Sequence, residues 1–195
     1  MDDETLVARI RAGDLDAASS LLSRYQDVAY TTALRLLANT SDAQDVAQES
    51  LVRAYTHISE LQENASFSAW LRRITVNLSL NALRRRGLLQ FESLDADAGR
   101  NPQRSRGPSG QQPATPEDEA LKGALQDEVK TLMQRLPPEQ RVAVVLRDVY
   151  GYEVPEIADL QRCGLSAAKM RVQRGRAALR RLLTEARVVS GGSDD

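Results

Sequence analysis

Apolar residues recur at intervals of three and four along most of the chain, with no stretch of sustained alternation, so the pattern predicts helices and no strand. Leu6, Val7 and Ile10 make one stripe, and Ala18, Leu21, Leu22, Tyr25, Val28 and Ala29 continue on the next helix. Helical patterns cover residues 3–11, 15–38, 42–59 and 67–86, and Ser41 followed by Gln44 has the spacing of a capping box that opens the third. Between Gly87 and Pro116 the periodicity stops, and four of the seven prolines (Pro102, Pro108, Pro113, Pro116) fall there among Gly, Ser and Gln. Such a stretch buries too little apolar surface to offset its ordering entropy and reads as a flexible linker. Beyond it, Thr115 with Pro116, Glu117 and Asp118 reads as an N-cap, a proline at the first helical position and an acidic first turn, starting a helix that runs to about Arg135. Pro137 and Pro138 open another, which ends before Gly151.

A short helix around Pro155 to Leu160, a tight turn and a long helix from Leu165 to Arg187 have the spacing of a helix-turn-helix. On the long helix Leu165, Ala168, Val172, Gly175, Leu179 and Leu182 form an apolar stripe, and Lys169, Arg171, Arg174, Arg176 and Arg180 project away from it. An apolar back with a basic front suits a DNA major groove. The fold class expected is therefore all-α: two small helical domains, 1–86 and 116–195, the second ending in a short disordered tail, joined by a flexible linker over 87–115.

Composition narrows the function. Charged residues break every longer apolar window, so no segment spans a bilayer, and the acidic, amphipathic start MDDETLVARI lacks the features of a signal peptide; a cytoplasmic protein is expected. With one cysteine, Cys163, and one histidine, His57, neither an internal disulfide nor a Cys/His zinc site is available, and no metal or cofactor is expected. His57 reads as a surface or packing residue and Cys163 as a small apolar filler at the turn. Ser166 and Lys169 match S-x-x-K, but no K-T-G companion exists and there is no Gly-rich phosphate loop, so neither catalytic residues nor a small-molecule substrate are expected. Formal charge is only −1, from 26 basic and 27 acidic residues, yet it is unevenly spread. Asn64 to Phe91 contains Arg72, Arg73, Arg84, Arg85 and Arg86 without a carboxylate, and Arg162 to Arg187 is strongly basic with Glu185 as its sole acid. Two basic faces on an otherwise acidic chain imply two contacts with a polyanion.

Two segments then resemble one family. DAQDVAQESLVRAY (Asp42 to Tyr55) and FSAWLRRITVNLSLNALRRR (Phe67 to Arg86) resemble domain two of bacterial sigma-70 family factors of the extracytoplasmic-function subgroup, and Leu136 to Leu183 resembles domain four. The resemblance implies that Asp45, Gln48, Glu49 and Arg53, at spacings that share one helical face, dock on core RNA polymerase. It implies that the loop Asn64, Ala65 and Ser66 receives a base flipped from the minus-ten element, and that Arg72, Arg73, Asn77, Asn81, Arg84 and Arg85 follow that strand or its upstream duplex. Phe67, Trp70, Ile74 and Leu78 read as core, Trp70 having a second role beside the DNA. In the recognition helix Ser166, Lys169, Met170 and Gln173 are expected at base edges of the minus-thirty-five element, with Arg171, Arg174, Arg176 and Arg180 on the same basic front. Promoter DNA, core RNA polymerase and an anti-sigma factor are the implied partners.

The turn departs from the family pattern: Arg162 stands where Gly is common, Gly164 where Ser is common, and Ala167 and Ala168 replace a frequent Thr-Val pair. The competing reading is an autonomous dimeric helix-turn-helix regulator, which leaves the motifs before the linker without a role.

Overall fold

The computed structural model describes residues 1–62, 65–89 and 131–190, with side chains as far as Ala186. The chain divides into two compact units, Met1–Gly87 and Leu88–Asp195. Asn64, most of the expected linker and the expected helix start at Thr115 lie outside the described residues. Among those described, the regular elements are all helical.

The first unit contains α1 (Asp3–Arg11), α2 (Leu15–Leu37), α3 (Thr40–Thr56), a single 3-10 turn (Ile58–Glu60) and α4 (Phe67–Arg85). Side-chain caps set where each α-helix begins. The Asp2 carboxylate accepts from the Thr5 N–H at 2.8 Å, and Asp14 accepts from Asp16 and Ala17 at 3.0 Å. Ala38 ends α2 in the left-handed conformation (φ 56°), which leaves Asn39 extended, with its carboxamide oxygen 3.0 Å from the Asp42 N–H. Asn39 is thus the cap of α3, and the expected start at Ser41 is corrected: the turn at Ala38 brings the chain into helix two residues earlier, and Ser41 already lies in its first turn. The same helix stops at Thr56, not 59, because the chain tightens into the 3-10 turn after His57.

Leu21, Leu36, Leu71, Leu80 and Leu83 are fully enclosed where α2, α3 and α4 meet. Phe67 bridges Tyr25 and Trp70 with ring centroids 5.1 and 6.0 Å apart, within the range of tilted aromatic pairs. The buried hydroxyls Ser50, Thr75 and Ser79 each donate to the carbonyl four residues back, at 2.6, 2.9 and 2.8 Å, so this interior holds no long-range polar link of theirs. An Arg86–Asp42 ion pair ties the end of α4 to the start of α3.

In the second unit residues 131–134 are helical, followed by α5 (Pro138–Val144), a π-helical turn (Val145–Val149), α6 (Val154–Gln161) and α7 (Leu165–Ser190). Pro138 opens α5 where its missing N–H has no intrahelical partner to lose. Val142 to Leu146 are all buried, so α5 is an interior helix with no polar face in that stretch. Glu156 reaches back 2.7 Å to the Glu153 N–H and closes the first turn of α6, a cap the apolar periodicity did not announce. Arg162 ends α6 at φ 51°, adopting the left-handed conformation usually given to glycine. On α7, Gly175 lies against α5: a Cβ there would meet Val144 Cγ2 at 2.6 Å and the Gln140 carbonyl oxygen at 2.9 Å. Hydrogen in place of a side chain allows the two helices to come this close.

Candidate nucleic-acid and polymerase interfaces

The outward face of α3 is set by the burial of Ala43, Val46, Ala47, Ser50 and Ala54 on the opposite side. Asp45 and Gln48 are exposed, and Glu49 accepts from Arg53 at 2.6 Å, one helical turn on. These four expected docking residues therefore share one surface, with Glu49 and Arg53 already paired. Val52 is 55% exposed beside them, and Tyr55 is exposed too. Neither was among the expected docking residues, although Val52 is visibly out of phase with the buried stripe.

The loop before α4 is described from Ala65. Its N–H donates to the Gln62 carbonyl at 3.1 Å, and the exposed Ser66 caps α4 by accepting from Ala69 at 3.4 Å. Ser66 thus has a local structural role beside any nucleotide contact. On α4 itself, Arg73, Asn77, Asn81 and Arg84 recur at spacings that place them on one face. Asn77 and Asn81 are exposed, and Arg84 donates to Asn81 Oδ1 at 2.6 Å. Arg85 is exposed at the helix end; Arg72, half-buried, falls on a different side and is not brought together with the others. Phe67 and Leu78 are core as expected, whereas Trp70 and Ile74 are half-buried at its margin.

The helix-turn-helix requires two corrections. Leu165, expected in the apolar stripe, is 57% exposed, because the buried line runs through Ala168, Val172, Gly175 and Leu182 and the first residue of α7 has no preceding turn to cover it. Arg171, expected on the basic front, is only 8% exposed. Its Nη1 donates to Gln161 Oε1 at 3.2 Å and its Nη2 lies 3.4 Å from Glu139 Oε1, while Gln161 Nε2 donates to the Glu139 carbonyl at 2.8 Å. This network joins α5, α6 and α7 from within, so the Arg171 charge is enclosed between helices and not on the basic front. Arg176 is exposed, but its Nε donates to Asp148 Oδ2 at 2.9 Å and its Nη2 pairs with the other carboxylate oxygen. The Asp148 hydrogen bonds and charge hold the Arg176 guanidinium pKa above its ordinary value.

What remains on the front is ordered. Ser166, Met170, Gln173 and Ala177 are exposed and share the middle of the face, with Lys169, Arg176 and Arg180 along one margin and Arg174 and Arg181 along the other. A neutral centre between two cationic margins matches a major groove, with base edges between two phosphate backbones.

Residues 21–88 match the family model described as Sigma-70 region 2, and residues 126–179 match Sigma-70, region 4. The ECF RNA polymerase sigma factor SigW of Bacillus subtilis (strain 168) is 30% identical over 193 residues, covering 92% of this chain and 95% of that one. The chain belongs to the ECF sigma factors. The region 2 match contains α3, the following loop and α4, and the region 4 match contains α5, α6 and α7 as far as Leu179, so Arg180 and Arg181 of this sigma factor lie just beyond it. Two solved structures have the same fold: CnrH in complex with the cytosolic domain of CnrY (TM-score 0.52, 23% identity, 94% of this chain and 97% of that chain), and the sigma factor RpoE in complex with the anti-sigma factor NepR from Bartonella quintana (0.51, 21%, 85% and 96%). No described helix of the ECF factor is long and apolar enough to cross a membrane.

Proposed function

We propose that the α3 face of this ECF sigma factor docks on core RNA polymerase, that the 64–66 loop and the Arg73–Asn77–Asn81–Arg84 face follow the minus-ten strand, and that α7 reads the minus-thirty-five element. The reading is carried by one observation: a face rich in acids and exposed apolar groups on α3 precedes two helices whose outward charges are almost wholly basic. Asp45, Gln48 and Val52 supply the unpaired part of the docking face, with Glu49 and Arg53 orienting each other. Melting then traps single-stranded bases beside α4, while phosphodiester chemistry belongs to the polymerase. The domain assignment is 1–86 for docking and melting and 116–195 for upstream recognition, with 87–115 as tether. As in the RpoE–NepR complex, an anti-sigma factor is a further partner, and the bacterial cytoplasm, where the polymerase works, is the site of action.

Reversal of Asp45 and Glu49 to Lys tests the docking assignment in the full chain. Loss of core-polymerase binding with unchanged circular dichroism is expected. Retained affinity refutes the α3 surface. The regulator alternative requires tight duplex binding without polymerase and gives the region 2 match no task.

A further inference from the structure

On the α7 margin formed by Lys169, Arg176 and Arg180, Arg176 already has a carboxylate partner from another element. Arg176 lies on the same face as Lys169, Gln173 and Arg180, yet its fork is closed on Asp148, which follows α5 in the π-helical turn. Both side chains keep solvent access, at 44% for Arg176 and 34% for Asp148. A carboxylate and a phosphate offer a guanidinium the same pair of accepting oxygens, so one can replace the other without moving the fork. Exposed pairs contribute modestly to folding, with a bidentate one at the upper end of their range, and the incoming phosphate restores the same bidentate contact, so exchange carries a modest penalty. The neighbouring Arg147 is directed elsewhere, to Glu153 at 2.7 Å and to the Tyr152 carbonyl at 3.0 Å, and so does not compete for Asp148.

Resting on the reading of α7 as the helix that faces DNA, we propose that Asp148 is a positioning residue that fills the phosphate-binding fork of Arg176 until a DNA phosphate displaces it. The carboxylate keeps the fork extended at the groove margin, which spares ordering of a long side chain on binding. It also competes with every phosphate equally, so it lowers affinity for any duplex without altering base preference. Its effect passes through Arg176 alone, which distinguishes it from an ordinary acidic neighbour.

The test is a double-mutant cycle on the full chain reconstituted with core RNA polymerase, using a promoter duplex selected from a randomised library and a series of salt concentrations. Asp148→Asn is expected to tighten binding roughly threefold to fivefold on all selected sequences alike, the range an exposed ion pair allows. Arg176→Ala should lower the salt dependence by about 0.9 in logarithmic slope, one phosphate's share, and should abolish the gain from Asp148→Asn. An equal gain in both backgrounds means that Asp148 acts only as through-space charge and overturns the proposal. No gain, or weaker binding with an unchanged melting temperature, overturns it as well. If Asp148→Asn lowers the melting temperature, Asp148→Ser is put through the same cycle and judged by the same coupling. A wild-type holoenzyme that selects no upstream sequence refutes the reading of α7 itself, whereas clear selection without coupling removes only the exchange.

Discussion

The two helical units handle buried polarity in opposite ways. In the first, Ser50, Thr75 and Ser79 turn their hydroxyls back on their own helices, so removing one leaves no distant group without a partner. In the second, Arg171, Gln161 and Glu139 satisfy one another across three helices. Local satisfaction makes the first interior insensitive to the identity of those residues; shared satisfaction makes the second depend on every member and ties α5, α6 and α7 together. The second unit is thus the one in which buried polar side chains link separate helices.

Arg171→Ala challenges this contrast most strongly. It strands Gln161 Oε1 and removes the ion pair to Glu139, for an expected loss of about 2–4 kcal/mol. Hydrogen exchange on the full chain should show the loss of protection in α5, α6 and α7 but not in α2 to α4. Gly175→Ala comes next, at about 1–3 kcal/mol, because the new methyl would press on a backbone carbonyl that cannot turn aside. The same exchange measurement should place its effect along α5 and α7. In the opposite direction, Arg162→Gly should stabilise the motif by about 0.5–1 kcal/mol, the relief of a left-handed conformation less glycine's greater unfolded-state entropy. A rise in melting temperature checks it. Smallest is Ser50→Ala: the Val46 carbonyl still receives its helical N–H, so a change under about 0.5 kcal/mol is expected in a denaturant melt. A loss comparable to that of Arg171→Ala would erase the distinction between the two interiors.

The same contrast explains what could be read in the sequence. Helices and their buried faces were legible because Leu6, Val7 and Ile10, Ala18 and Leu21, and Ala168 and Val172 recur at helical spacing along their helices and are in fact enclosed. The expected docking residues of α3 fall on one surface for the same reason. Arg171 was misplaced because its charge suggested solvent, while the groups that make its burial tolerable lie 10 and 32 positions away, at Gln161 and Glu139. Asp148 was likewise invisible as the partner of Arg176, 28 residues on. Periodicity reports which side of a helix is inside, and it says nothing of a charge neutralised from a distant segment. Asn39 shows the local form of this limit: the capping-box spacing pointed to Ser41, and the left-handed turn at Ala38 puts the cap two residues earlier.

The turn of the motif contains the chain's only thiol. Cys163 is 3% exposed, one residue beyond the left-handed Arg162, with its N–H bonded 3.0 Å from the Ala158 carbonyl. A maleimide or disulfide reagent can therefore reach it only when the structure around the turn opens. With no second cysteine to confuse the signal, the labelling rate of the unmodified protein clocks that opening. The natural sequence thus carries its own stopwatch for the helix-turn-helix, usable in the free factor, in holoenzyme and on a promoter without adding a probe.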